Sequence, residues 1–347
     1  MKFEVSKADN SLFILRSESR LVYVLVYVDD IIITGNDAKA IGDFVTQLNA
    51  KFSLKDLGKL NYFLGIEVNY IAQGIFLTQK KYILDLLQRA SMDSLPTSMV
   101  TTCRLSATTS SPVEDEHYYR SIVGALQYVV ITRPDIAYSV NKVCQFMHKP
   151  LNVHFKAVKR ILRYLQGTLN YGLRFIRSSS FLLEGYSEAS WGSDVDDRRS
   201  TSGFCVFLGG NPISWSSRKQ QVIPRSITEA EYRSVAHLTA ELVWIRSLLI
   251  ELCVPIPKRS LIWCDSSIAV AIAGNLVLHS KFKHVEIDLF FVREKVADGV
   301  LQVGHISGSD QIADVLTKSL SVGIFTKFRD QLCVADMSQE VLGAKRS

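Results

Sequence analysis

Apolar, β-branched and aromatic residues run unbroken from 21 to 28, and a second such run covers 31–34. Asp29 and Asp30 stand between them, and Gly35-Asn36 breaks the chain afterwards. Runs of this kind predict two β-strands paired as a hairpin, with the aspartates at its tip. The spacing of Ile41, Phe44, Val45 and Leu48 then predicts an amphipathic helix over 37–52. Strand patterns follow at 62–68 and 74–77, and a helix pattern at 78–92. Residues 96–112 are rich in Ser, Thr and Pro and read as an extended linker. Two helices are predicted over 116–168, with Pro134 at a break in the first. In the second, Val158, Ile161, Leu162 and Leu165 form an apolar stripe. Lys156, Lys159, Arg160 and Arg163 form a basic stripe beside it.

The pattern changes at residue 181. Strands are predicted at 181–188, 203–208 and 212–215, followed by a long helix at 228–252. Then come a strand (261–264), two helices (266–273 and 284–297), a strand (301–306) and a helix (311–319). Three strands followed by alternating helix and strand predict a mixed sheet with helices on its faces. The expected fold class is α/β with α+β character. The expected parts are 1–95, 96–178, 179–325 and a loose polar tail, 326–347.

Composition narrows the class. With 347 residues, two or three domains are expected. A 47% hydrophobic and 21% charged composition supports real cores and excludes a mostly disordered chain. The net charge of +6 permits a polyanionic partner without requiring one, so the placement of the charge matters more. The six cysteines form no C-x-x-C pair, which argues against a zinc framework or a redox motif of that kind. That usage fits an intracellular compartment, cytoplasm or nucleus. No apolar run reaches the roughly 18 residues a membrane helix needs, so no membrane association is expected. The N-terminus lacks a signal-peptide layout.

Several acidic residues are candidates for chemistry. Asp29-Asp30 reads either as an ordinary turn or as a hard-cation site of carboxylate oxygens. Asp194, Asp196 and Asp197 invite a calcium-loop reading, but Arg198 fills a ligand slot and the loop glycine and terminal glutamate are missing. Glu231 lies near a helix start, Asp265 directly after a strand, and Asp314 early in a helix. Taken singly, each is equally a first-turn acid, a cap or a solvated acid. The basic stripe reads either as a solvated face or as a phosphate-contacting surface, and so does the HSKFKH stretch with Lys281 and Lys283.

The string KADNSLF, LVYVDDIIITGND, FSLKDLGKLNYFLGIEV, LTQKKYILDLL resembles the reverse transcriptase of copia-type LTR retrotransposon Pol polyproteins. YRSIVGALQYVVITRPDIAYSVNKVCQFMHKP and KAVKRILRYLQGT continue the resemblance, which runs through a ribonuclease H region to about residue 325. The resemblance implies a partial palm and thumb at 1–95, a helical connection at 96–178 and a ribonuclease H-like domain at 179–325. It implies Asp29 and Asp30 as two of three polymerase aspartates. The third lies upstream in the family, and Glu4, Asp9 and Glu18 do not match it, so this chain alone is not expected to polymerise.

The same resemblance implies a ribonuclease H carboxylate set at Glu188 (GYSEASW), Glu231 (SITEAEY), Asp265 (IWCDSS) and Asp314 (QIADVLTK). His305, in VGHIS, is implied as an aid to product release. The implied cofactor is Mg²⁺ or Mn²⁺, two ions per active site. The implied partner is an RNA–DNA hybrid or other nucleic acid, with other retrotransposon Pol or Gag products as further candidates. One departure matters. The family has Asp where this chain has Glu188, and a second Asp at Ser190. The extra methylene moves the oxygens outward, so a weakened metal site is expected. Two rival expectations stand beside hybrid hydrolysis: a non-catalytic nucleic-acid-binding remnant, and a protein that keeps only the fold for interactions.

Overall fold

The computed structural model describes residues 3–17, 19–52, 54–92, 105–108, 110–257, 259–275 and 283–338. They form two compact units. The first comprises Met1–Leu64 and Val243–Ile256, and the second Gly65–Leu242 and Pro257–Ser347. This division differs from the four consecutive parts read along the chain.

In the first unit, β1 (Glu4–Val5), β2 (Leu12–Arg16), β3 (Leu21–Tyr27) and β4 (Asp30–Gly35) form an antiparallel sheet in sequence order. Helix α1 (Ala38–Phe52) follows, then a short strand β5 (Tyr62–Phe63). Val22, Val24 and Ala40 are the buried centre, with Ile41 and Phe44 packed against them. The Tyr23 hydroxyl donates to the Leu252 carbonyl, and the Ser6 hydroxyl to the Glu251 carboxylate, tying in the 243–256 segment.

The second unit opens with β6 (Ile66–Ile71), β7 (Gly74–Thr78) and α2 (Lys80–Arg89). The strand expected over 62–68 is therefore interrupted, because Leu64 and Gly65 both adopt positive φ (47° and 77°). The expected pair of helices is three: α3 (Glu116–Val129), α4 (Ala137–Cys144) and α5 (Asn152–Gly167). The break has a local cause. Arg133 precedes Pro134 and is pushed out of the helical region, to φ −132° and ψ 67°. Its buried guanidinium makes two bonds to Asp135, at 2.8 and 3.0 Å, and the Tyr164 hydroxyl donates to the same carboxylate at 2.7 Å. Ile83, Leu86, Tyr119, Ile122, Ile161 and Leu165 are buried where these helices meet. Most of the 96–112 linker lies outside the described residues.

A strand that the sequence pattern did not reveal, β8 (Tyr171–Ile176), pairs with β7. Then come β9 (Leu183–Ser190), β10 (Thr201–Leu208), β11 (Asn211–Lys219), α6 (Ile227–Glu251), β12 (Ser260–Cys264), α7 (Ser267–Gly274), α8 (Glu286–Ala297) and β13 (Leu301–His305). Five strands lie in the order β11-β10-β9-β12-β13. The first three are antiparallel, while β12 runs parallel to both β9 and β13. The α/β class with a mixed sheet is as expected.

Two expectations near the C-terminus are corrected. Residues 311–319 hold a 3-10 turn, Ile312–Leu316, and not an α-helix. Of the stretch read as a loose tail, 326–347, the described residues up to 338 are ordered: α9 (Val322–Gln331) is followed by β14 (Val334–Asp336), which pairs with β8. Phe328, Leu332 and Val334 explain this, because they are buried with Leu173, Phe207 and Leu316. No described helix is long and apolar enough to cross a membrane.

Candidate active site

The parallel pairing of β9 and β12 brings their carboxyl ends to one edge of the sheet. Cys264, the last residue of β12, stands opposite Ser187. Glu188 and Asp265 are the next residue of each strand path, so topology alone makes them neighbours. Ligand sites gather at such strand ends in α/β sheets. Helix α6 crosses β9 where Gly185 leaves room: a Cβ there would meet the Leu238 side chain at 2.7 Å. The Ser234 hydroxyl donates to the Glu188 carbonyl at 2.8 Å, and the Ala189 amide donates to Glu231 Oε2 at 3.1 Å. These bonds hold Glu231 beside the end of β9.

Asp314 arrives on the 3-10 turn. That turn lies against β10 at Gly203, the residue paired with Glu188. A Cβ on Gly203 would come within 2.7 Å of Thr317 and 2.8 Å of Leu316. Gln311 caps the turn and donates from Nε2 to the Ser187 carbonyl at 3.0 Å. Glycine on the strand and glutamine at the cap thus set the depth of Asp314.

The four sequence-predicted acids therefore meet, but in two pairs. A carboxylate oxygen of Glu231 and one of Asp265 lie within 4.8 Å of each other and of Cys264 Sγ. Glu188 and Asp314 are instead bridged by Lys318, whose ammonium lies 3.1 Å from Glu188 Oε1 and 2.7 Å from Asp314 Oδ1. The second oxygen of Glu188 is buried with no hydrogen-bond partner.

Burial, reinforced by Asp265 and Asp314 and opposed by Lys318, pushes the Glu188 carboxyl up to about 8. Burial, then the charges of Glu188 and Asp265, pushes Glu231 up to about 9. Asp314 is raised by burial against the pull of Lys318. Burial disfavours the Lys318 charge, yet Glu188 and Asp314 together hold the ammonium well above its ordinary range. With Glu188 and Glu231 raised to about 8 and 9 and one buried Glu188 oxygen orphaned, the site is short of positive charge. The oxygen-rich donor set fits a hard divalent cation.

Sequence reasoning missed Lys318 and Cys264. The first had a signal, a position four residues after Asp314. The second had only its place beside Asp265. Ser190 closes β9 opposite Thr201. His305 is exposed, with Nε2 3.1 Å from the Asp265 carbonyl oxygen.

The other candidates lie apart from this cluster. Asp29 and Asp30 are exposed at the β3–β4 turn, where Tyr27 pairs with Asp30 and Val28 adopts φ 49°. Among the described residues, no third acid, His or Cys stands with both of them at metal-ligand spacing. Lys156 and Lys159 are exposed on α5, with Arg160 and Arg163 half-buried. Lys281 and the Lys283 side chain lie outside the described residues. Asp194 is paired with Lys219 at 2.8 Å.

Residues 1–104 match the family described as reverse transcriptase (RNA-dependent DNA polymerase). The chain is 47% identical over 335 residues to the retrovirus-related Pol polyprotein from transposon RE1 of Arabidopsis thaliana, covering 96% of this chain and 23% of that one. It is 44% identical to the corresponding polyprotein from transposon RE2 of the same plant, over 99% of this chain and 24% of that one. An uncharacterized mitochondrial protein of A. thaliana is 44% identical, over 64% of this chain and 94% of its own length. The chain belongs to the family of copia-type retrotransposon Pol polyproteins, and its residues 1–104 correspond to their reverse transcriptase. It spans about a quarter of the length of the two transposon polyproteins.

Proposed function

We propose that the second unit hydrolyses the RNA strand of RNA–DNA hybrids. One observation carries this reading: Glu188, Glu231, Asp265 and Asp314 converge at the carboxyl ends of β9 and β12, with Glu188 and Glu231 raised to about 8 and 9. Glu231 and Asp265 would hold one Mg²⁺ or Mn²⁺, and Glu188 and Asp314 a second. Bound there, such ions supply an activated water and stabilise the departing oxygen. The protein's own part is positional. Gly203 and Gln311 set the depth of Asp314, the Ala189 amide orients Glu231, and Lys318 neutralises Glu188 and Asp314 when no other cation does. His305, beside Asp265, is placed to assist product departure. Lys156, Lys159, Arg160 and Arg163 would contact phosphates without reading sequence, together with Lys281 and Lys283. Asp29 and Asp30 are assigned as two of the polymerase aspartates of the family.

The test is cleavage of a labelled hybrid by the purified chain in Mg²⁺ and in Mn²⁺, with Asp265→Asn as the blank. Cleavage that Asp265→Asn abolishes is the expected result. Cleavage unchanged in that variant would sink the assignment. The Glu188–Lys318 pair favours a second reading, hybrid binding without hydrolysis, because an ammonium already satisfies one of the metal-ligand positions. Salt-sensitive binding with no metal-dependent cleavage would establish it.

A further inference from the structure

A pinned aromatic stands exposed next to the acid cluster. Trp191 is the first residue after β9, three positions beyond Glu188, and it is 49% exposed. Its indole N–H donates to the Pro224 carbonyl at 3.2 Å, which ties the ring to the 220–226 loop that leads into α6 and Glu231. Val222 and Ile223 on that loop and Ile227 at the start of α6 are each more than half exposed. Arg225 follows Pro224, and Arg198 lies across the turn that Trp191 opens: a Cβ on Gly192 would lie 3.8 Å from the Arg198 carbonyl oxygen. Both arginines are exposed. The acids of that turn are engaged elsewhere. Asp194 and Asp197 each pair with Lys219 at 2.8 Å, and Asp196 accepts from the Ser106 hydroxyl and the Ala107 amide at 2.7 and 2.8 Å. The face that remains is aromatic, aliphatic and cationic.

We propose that Trp191 is a stacking platform for an unpaired nucleobase, with Arg198 and Arg225 holding the flanking phosphates. An exposed apolar patch with a polar rim marks a binding surface, and charge sorts the partners. Two exposed cations beside engaged acids select a polyanion. The flat ring selects within that class. A base inside a duplex has both faces covered by its neighbours and shows only its edges, whereas an unpaired base offers a face to stack on. Every base has such a face, so the contact is indifferent to sequence. Because the indole is already fixed by Pro224, little side-chain freedom is lost on binding. The site takes the single-stranded run that adjoins a hybrid and brings the end of the hybrid beside the acid cluster. The inference rests on the nucleic-acid reading above and does not depend on hydrolysis.

The experiment measures binding of the full chain, without divalent ions, to two labelled RNA–DNA hybrids of equal length, one blunt and one carrying a single-stranded oligothymidine tail. The tailed hybrid is expected to bind about tenfold more tightly. Trp191→Ala should remove that preference, and Trp244→Phe, which alters another exposed indole, should keep it. Arg198→Gln combined with Arg225→Gln should weaken tail binding and flatten its salt dependence by a slope of about 1 to 2. Tail binding should also quench part of the tryptophan emission. That part should be missing in Trp191→Phe, which covers the case in which Trp191→Ala does not fold. No tail preference in the unaltered chain overturns the proposal, and so does the same preference in Trp191→Ala or the same quenching in Trp191→Phe. The readout is separable from hybrid cleavage: a tail preference that depends on Trp191, without cleavage, supports this site and defeats the hydrolytic reading, and cleavage without a tail preference does the reverse.

Discussion

Glu188 is where the chemistry is most exposed to a single methylene. Its side chain reaches Lys318 with one oxygen and leaves the other unpaired. An aspartate would draw both oxygens back toward β9 and away from the ammonium. A misplacement of about 1 Å can cost on the order of 100-fold in rate. Glu188→Asp is therefore expected to raise hybrid cleavage by roughly 10- to 100-fold, and adding Ser190→Asp to raise it further. Single-turnover assays on the labelled hybrid check this, and no gain in either variant would show that the site is not limited by this residue. Lys318 makes the opposite point. It was legible only as a helix-type i,i+4 neighbour of Asp314, and its link to Glu188 spans 130 residues of sequence. Nothing in a local pattern announces a contact of that range.

At the scale of elements, the hairpin and the C-terminal segment show how local preference yields to context. Val28 sits in the left-handed region, which costs a β-branched residue about 1–2 kcal/mol, and it is 81% exposed, so it gains little packing in return. Val28→Asn should stabilise the first unit by about 1 kcal/mol, because asparagine tolerates that conformation. Urea unfolding followed by a probe in the β3–β4 hairpin measures it, and an unchanged or lower midpoint would contradict the strain. The 326–336 segment is the converse case. Its average polarity suggests a tail, but three apolar residues at the right intervals dock it. Phe328 is 1% exposed, so Phe328→Ala should cost about 3–5 kcal/mol in the second unit. Thermal melting reads this directly, and a loss within error would mean that the segment does not pack.

For the whole molecule, the acid cluster couples stability to pH and to cations. Glu188 and Glu231 have folded values of about 8 and 9 against an ordinary 4.5. As pH rises above 4.5, the unfolded chain releases protons that the folded chain keeps, so folding weakens progressively until about pH 8 to 9. Stability of the second unit should thus fall between mildly acidic and mildly alkaline pH, and added Mg²⁺ or Mn²⁺ should restore it most at the alkaline end. Denaturation midpoints at pH 5, 7 and 9, with and without the ion, give the sign, and a rise with pH in the absence of ion would contradict it. The basic face of α5 acts at the same scale. Replacing Lys156 and Lys159 with Gln should lower hybrid affinity and flatten its salt dependence by a slope of about 2, checked by binding titrations across ionic strength.

By itself, the order of hydrophobic runs was enough to indicate the hairpin, strands at 181–188, 203–208 and 261–264 that the fold forms as β9, β10 and β12, the long helix and the α/β class. Those features follow from side-chain periodicity, which is a local property of the chain. The motifs that carry the family resemblance also marked all four acids of the cluster. Tertiary structure alone decided the rest. It added β8 and β14 and turned the last acidic segment into a 3-10 turn. It also divided the acids into a Lys318-bridged pair and a pair beside a buried thiol. Each of these outcomes depends on which distant surfaces come within a few ångströms of one another. That is set by parallel strand pairing and by the two glycines, Gly185 and Gly203, that let helix and turn close onto the sheet.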